Sequence, residues 1–133
     1  MRIISGKFKG KKIFLPKDKN TRPLKDMVKE SIFNVISHSN EIEIKINNSN
    51  ILDLFSGSGS FGLEAISRGA KNVTFIENYE EAVNILKKNI QELNSLELCQ
   101  VIHKSCFDYL DNIESKKNMY DIVFLDPPFK EKN

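Results

Sequence analysis

The stretch best equipped to do chemistry is Asp126-Pro127-Pro128-Phe129. It follows a short apolar run, Ile122-Val123-Phe124-Leu125, that reads as a buried strand. The two prolines restrict φ and remove two N–H donors, which leaves carbonyls as acceptors. The Asp126 carboxylate and the Pro127 carbonyl can then accept both hydrogens of an exocyclic amine on a flat nucleobase. Phe129 offers a face on which such a base can stack, a contact worth roughly 1–3 kcal/mol. An aromatic amine is a weak nucleophile because its lone pair is delocalised into the ring. Two fixed acceptors favour a pyramidal nitrogen and aim its lone pair, and positioning of that kind supplies much of the acceleration in an in-line transfer. The bland alternative is a strand that ends in a proline-rich turn.

A second constellation weighs against that alternative. Gly57-Ser58-Gly59-Ser60-Phe61-Gly62 fits G-x-G-x-x-G, placed after an expected strand and opening an expected helix. Glycines let a ligand approach the backbone closely. Asp53 precedes the first glycine by four residues, and Glu77 follows it by twenty. A carboxylate in the Glu77 position can accept both hydroxyls of a ribose. Asp53 would repel a pyrophosphate but pair with a cationic amino group. A ligand with a ribose and a cationic amino acid end is S-adenosylmethionine. A nicotinamide dinucleotide would use Glu77 but suits Asp53 and Asp126 poorly. A phosphate-binding P-loop is excluded, because no Gly-Lys-Ser/Thr follows.

The elements that must position these residues alternate. Strands are predicted at 51–55, 73–77, 98–103 and 121–125. Helices are predicted at 61–68, closed by Gly69, at 80–94, and at 107–113. Strands alternating with helices imply an α/β fold: a Rossmann-like parallel sheet with right-handed crossovers and helices on both faces. Ahead of it, residues 2–15 read as two short strands around a glycine-bounded turn, a β-hairpin ended by Pro16. A helix is predicted over 27–37, with Asp26 as its N-cap. Residues 38–50 read as a polar connection.

The 133 residues, 40% apolar and 29% charged, suffice for one globular domain with a real core. No apolar run approaches the ~18–20 residues that cross a bilayer, and no secretory h-region opens the chain. Cys99 and Cys106 have no metal-ligand spacing and make no disulfide framework, so a cytoplasmic setting and no metal are expected. The net charge of +2 hides an asymmetry. Residues 1–29 carry ten Lys/Arg against two acids, and residues 30–133 carry ten bases against sixteen acids. A basic arm of that kind is the electrostatic footprint of a nucleic-acid binder, or else a solvated lysine-rich surface. Residues 1–25 are thus set apart as a basic N-terminal arm, and 26–133 as the α/β domain.

Three stretches carry a resemblance to a family. Met1-Arg2-Ile3-Ile4-Ser5-Gly6-Lys7-Phe8-Lys9-Gly10 leads into Thr21-Arg22-Pro23-Leu24-Lys25-Asp26-Met27-Val28-Lys29-Glu30-Ser31-Ile32-Phe33-Asn34. Asp53-Leu54-Phe55-Ser56-Gly57-Ser58-Gly59-Ser60-Phe61-Gly62-Leu63-Glu64-Ala65 and Phe124-Leu125-Asp126-Pro127-Pro128-Phe129 complete it. On these the chain resembles class I S-adenosylmethionine-dependent methyltransferases, and more closely the RsmD family of bacterial 16S ribosomal RNA guanine-N2 methyltransferases. The resemblance implies that Asp53, Phe55, Gly57, Gly59, Glu77 and Asn78 hold S-adenosylmethionine. It implies that Asp126, Pro127, Pro128 and Phe129 hold a flipped-out guanine. Arg2, Lys7, Lys9, Lys11, Lys12 and Arg22 would meet 16S ribosomal RNA or the small subunit, with a monomer expected and no membrane. The resemblance likewise implies that the arm of residues 1–25 faces RNA and that 26–133 is the methyltransferase domain. Phe129 departs from the family's usual Tyr. Ser105 stands where an acid near the cofactor's adenine is expected, with Asp108 one turn on. The family fold has further strands beyond the fourth. Alternatives are an adenine-N6 methyltransferase on RNA or DNA, which shares the site chemistry, and a truncated, inactive RNA-binding fragment.

Overall fold

A computed structural model describes residues 1–16, 23–39, 45–112 and 119–126. Four strands, β1 (Asn50–Asp53), β2 (Asn72–Glu77), β3 (Cys99–His103) and β4 (Ile122–Phe124), form one sheet in the order β3-β2-β1-β4. Every pairing is parallel, with Asp53 opposite Phe75 of β2 and opposite Phe124 of β4. The helices are α1 (Pro23–His38), α2 (Ser60–Ser67), α3 (Glu80–Glu92) and α4 (Cys106–Asp111).

Strand alternation divides the core into two layers. Ile51, Val73, Phe75 and Phe124 face α1, α2 and α3, where they meet Phe33, Leu63, Ile66, Leu86 and Ile90. Leu52 and Ile76 point the other way, onto Cys106 and Tyr109 of α4. Helices therefore cover both faces, as the alternating pattern predicts. Phe33 docks α1 with ring centroids 6.3 Å from Phe61 and 5.6 Å from Phe124. The Arg68 guanidinium caps that aromatic group 4.6 Å from the Phe33 centroid.

Several boundaries differ from the sequence expectation, each for a local reason. α1 starts at Pro23, so Asp26 lies inside the helix rather than capping it. Proline's fixed φ and missing N–H suit a first helical position. Residues 96–98 wind into a single 3₁₀ turn before β3, which therefore starts at Cys99. α4 begins at Cys106, because the Ser105 hydroxyl accepts the Asp108 N–H at 3.1 Å and caps it. The expected hairpin pairs through one antiparallel bridge, Arg2 with Lys12, with Ile3 N–H donating to Lys11 O and Ile13 N–H to Met1 O. Ile3 and Ile13 are buried in the same cluster as Phe33, so this arm packs onto the main core.

Gly62 sets how closely α2 lies on the sheet. A Cβ there would stand 2.2 Å from the Phe75 ring and 3.0 Å from Val73. Gly62→Ala is expected to destabilise the fold by about 1–3 kcal/mol through overpacking, read as a lower urea midpoint with an unchanged slope. An unchanged midpoint would show that α2 can lift off at no cost.

Candidate functional site

Three carboxylates stand at the carboxyl ends of three adjacent strands. Glu77 is the last residue of β2, Asp53 the last of β1, and Asp126 lies two residues beyond β4. Ligands of open α/β sheets bind at this edge. Between the acids runs the loop 54–59, which turns from β1 into α2. Gly57 and Gly59 have φ of 55° and 94°, in the left-handed region that glycine tolerates. A Cβ on Gly59 would lie 2.4 Å from Leu86 of α3, whereas a Cβ on Gly57 would point into open space. Gly59 is thus required by packing, and Gly57 leaves a backbone surface that a ligand can approach.

Asp53 and Glu77 are held by the loop and the helix it opens. Asp53 Oδ2 accepts the Gly62 N–H at 3.1 Å, which satisfies a donor in the first turn of α2, where Gly59 supplies no side-chain cap. Glu77 Oε1 accepts the Gly57 N–H at 2.7 Å, and Oε2 accepts the Tyr79 N–H at 3.0 Å. Both Glu77 oxygens keep a further lone pair. Burial pushes the Asp53 carboxyl up from 3.8 to about 7, the Gly62 N–H opposes the push, and the charges of Asp126 and Glu77 add to it. An acid placed so invites a cation. A donor set of one buried carboxylate, one half-buried carboxylate and an uncovered glycine backbone fits a ligand with a cationic end and a vicinal diol.

The remaining expected residues divide. Phe55 is half-buried against the α4 layer, and Asn78 is exposed, with its carbonyl 3.0 Å from His103 Nε2. Asp126 is exposed. Pro127, Pro128, Phe129 and Arg22 lie outside the described residues. Arg2, Lys7, Lys9, Lys11 and Lys12 are all exposed. They do not gather at one place. The turn carrying Lys7 docks on Ser67, whose carbonyl accepts the Lys7 N–H and whose hydroxyl accepts the Phe8 N–H, each at 2.9 Å. Ser67 ends α2, about 10 Å along the helix from Ser60 at the loop. Lys12 stands at the loop end instead, 4.9 Å from the Phe14 ring centroid, and Lys88 of α3 lies 4.1 Å from the same ring.

Three polar residues around the loop were not singled out from the sequence. Lys29 of α1 is buried and donates to Ser60 Oγ at 2.9 Å, with Glu64 Oε1 at 3.4 Å. Glu64 of α2 is buried, pairs with Arg68 at 2.8 Å and accepts the Ile4 and Ser5 N–H groups at 2.9 and 3.0 Å. Asn89 of α3 is buried and bonds both Phe14 and Ser58. The available signal was position: each occupies a place in the apolar stripe of its helix, where a polar side chain must find buried partners. Among the described residues no group of three or more His, Cys, Asp or Glu is arranged to hold a metal ion. No described helix is long and apolar enough to cross a membrane.

A parallel sheet ordered β3-β2-β1-β4, with a glycine loop and acids at its carboxyl edge, is the Rossmann-like core of class I methyltransferases. A solved S-adenosylmethionine-dependent methyltransferase from Agrobacterium tumefaciens shares this fold at TM-score 0.65 and 21% identity, over 84% of this chain and 34% of that one. The chain belongs to the family described as "Conserved hypothetical protein 95", which matches residues 1–133. It is 43% identical over 130 residues to ribosomal RNA small subunit methyltransferase D of Haemophilus influenzae, covering 97% of this chain and 64% of the relative. The Escherichia coli protein of that name is 35% identical over 130 residues, covering 98% and 61%. The solved Escherichia coli protein yhhF superposes at TM-score 0.78 with 33% identity, over 98% of this chain and 65% of that one. The chain therefore spans less than two thirds of the length of these relatives.

The raised Asp53 carboxyl has a consequence for stability. Between about 4 and 7 the folded protein keeps a proton that the unfolded chain releases, so stability falls as pH rises through that window. Asp53→Asn retains an oxygen for the Gly62 N–H and removes the charge. The variant is expected to be the more stable at pH 8 by on the order of 2–4 kcal/mol, with the gain gone at pH 4. Chemical denaturation at the two pH values measures it, and an equal effect at both would show that Asp53 ionises without cost.

Proposed function

We propose that this protein transfers a methyl group from S-adenosylmethionine to the exocyclic N2 amine of a guanine in small-subunit ribosomal RNA. The observation that carries the reading is the convergence of Asp53, Glu77 and Asp126 on three adjacent strand ends around the Gly57 and Gly59 loop. Family membership, and relatives named as small-subunit ribosomal RNA methyltransferases, support the substrate class.

In this reading Glu77 accepts the ribose hydroxyls through its remaining lone pairs, and the open face of Gly57 lets the ligand lie against the backbone. Asp53 receives the cationic amino group, which draws its carboxyl back towards the ionised form. Affinity for the ligand then rises with pH up to about 7. When bound, S-adenosylmethionine supplies an electrophilic methyl group on a sulfonium. Asp126 accepts an N–H of the amine, orients the nitrogen lone pair towards the cofactor pocket and offsets positive charge gathering there. The nitrogen's surplus proton leaves to solvent, since a methylated aromatic amine is strongly acidic while cationic. Pro127, Pro128 and Phe129 complete the base-holding corner, and the basic arm of residues 1–25 meets the RNA backbone.

A tritiated-methyl transfer assay on 16S ribosomal RNA and on small subunits, followed by nucleoside analysis, tests this. N2-methylguanosine is the expected product, and N6-methyladenosine would replace the reading with the adenine-directed one. Asp126→Ala is expected to lower transfer at least about 100-fold, in line with loss of one preorganised charge-stabilising group, while leaving cofactor affinity within about threefold.

A further inference from the structure

The N-terminal arm and the glycine loop share buried polar partners. Asn89 of α3 accepts the Phe14 N–H at 2.8 Å through Oδ1. Its Nδ2 donates to Phe14 O at 3.0 Å and to Ser58 O at 2.9 Å. One side chain, 1% exposed, thus bonds the last part of the arm on one side and the centre of the glycine loop on the other. A primary amide has two donors and two acceptor positions, and three of these four are used on backbone groups of the two segments. Leu86, one turn earlier on α3, presses against the place where Gly59 has no side chain. A parallel link runs through Glu64, which accepts the Ile4 and Ser5 N–H groups and lies 3.4 Å from Lys29, itself bonded to Ser60.

Neither segment has regular secondary structure of its own around Ser58 or Phe14. The shared amide joins them, beside the loop's own bonds from Gly57 N–H to Glu77, Ser56 N–H to Ile76 O and Gly59 N–H to Ser56 O, and the arm's bond from Ile13 N–H to Met1 O. A segment held by few local bonds opens easily, and one that shares its buried partner with a second segment opens together with it. We propose that Asn89 is a positioning residue that couples the N-terminal arm to the glycine loop, so that clamping either one orders the other. The coupling rests on apo geometry alone. Its functional consequence rests on the reading above: RNA seated on the arm would tighten cofactor binding, and cofactor in the loop would preorder the arm, with reciprocal factors.

Amide hydrogen exchange separates the two levels. In ligand-free protein, Ile13→Val loosens the arm without touching the loop. It is expected to raise exchange at the Gly57 and Gly59 amides at least about threefold. In an Asn89→Ser background, the same arm change should alter those amides by less than half as much, in fold terms. Asn89→Asp, which keeps an acceptor for Phe14, is the second background if the serine variant unfolds, and the same loss is expected. Loop amides indifferent to Ile13→Val, or equally responsive with and without Asn89, overturn the proposal. S-adenosylhomocysteine is then added to the unmodified protein. Slower exchange at the Ile3 and Ile13 amides, lost in the Asn89 variant while Gly57 stays protected, carries the coupling into the cofactor site. No protection even at Gly57 and Gly59 counts against the cofactor reading, and the ligand-free result still decides the coupling.

Discussion

The Asp53 carboxylate is the constraint on which the rest of the site depends. It sits at the end of the central strand β1, between β2 and β4, with 2% of its surface exposed. A charge there loses most of its hydration, and burying an unpaired carboxylate is costly. Among the described residues one hydrogen bond reaches it, from Gly62 at the start of α2. That bond sets the distance between strand end and helix start, and the absence of a side chain at Gly62 lets α2 lie low enough to make it. The loop between them is then so short that Gly57 and Gly59 must adopt positive φ. Helix position, loop conformation and the raised Asp53 carboxyl are one arrangement seen from three sides. A structural role, capping α2, and a binding role, offering a buried anion, are the same geometry.

Buried polar groups recur around this centre, and they follow a common logic. Lys29 and Glu64 are each almost wholly buried, and the pair is compensated by Arg68, Ser60 and two arm N–H groups. Such a cluster adds little net stability compared with apolar packing, because desolvation offsets the attraction. What it does fix is register. Glu64 can take the Ile4 and Ser5 N–H groups only if the arm crosses α2 at one place, and Asn89 fixes Phe14 likewise at the arm's other end. The arm is therefore not an appendage of basic residues on a finished domain. Its Ile3 and Ile13 belong to the main apolar cluster, and its backbone satisfies buried side chains of α2 and α3.

Much of this was legible in the sequence, for reasons of period and spacing. The spacing predicts Glu77 at the end of β2 and the glycines in the turn after β1, because a glycine loop between an apolar run and a helical stripe allows few other geometries, while β1 stops at Asp53 rather than running to 55. Gly69 closes α2 as its type and position predict, with φ of 106°. What escaped was polar. Lys29, Glu64 and Asn89 are polar side chains in apolar stripes, and apart from Arg68 their partners lie 31 to 75 positions away in sequence, beyond the reach of local spacing. Local rules also competed: Asp26 is a good N-cap by type, but Pro23 upstream already offered a better first helical residue. The lysines of the arm could be counted but not sorted, because only the docking of the turn onto Ser67 separates Lys7 from Lys12 along α2.

The two halves of the site differ in how they are held, and that difference bears on their division of labour. Asp53 and Glu77 end strands that are hydrogen-bonded on both sides, and each is fixed by a backbone N–H, of Gly62 in α2 and of Gly57 in the loop. Asp126 follows a three-residue strand that, among the described residues, pairs only with β1. Phe124 is the exception on that strand, pinned between Phe33 and Phe61 at 5.6 and 5.4 Å. Val123 and Leu125, flanking it, are 51% and 64% exposed. The carboxylate at position 126 therefore stands two residues beyond a short strand on which Phe124 is the one buried side chain between 122 and 126. Under the proposed reading, the half paired on both sides suits a small ligand held the same way each time, and the short, largely exposed strand suits a base drawn in from a polymer, with Phe33 of α1 packed in the same cluster as Ile3 and Ile13 of the arm.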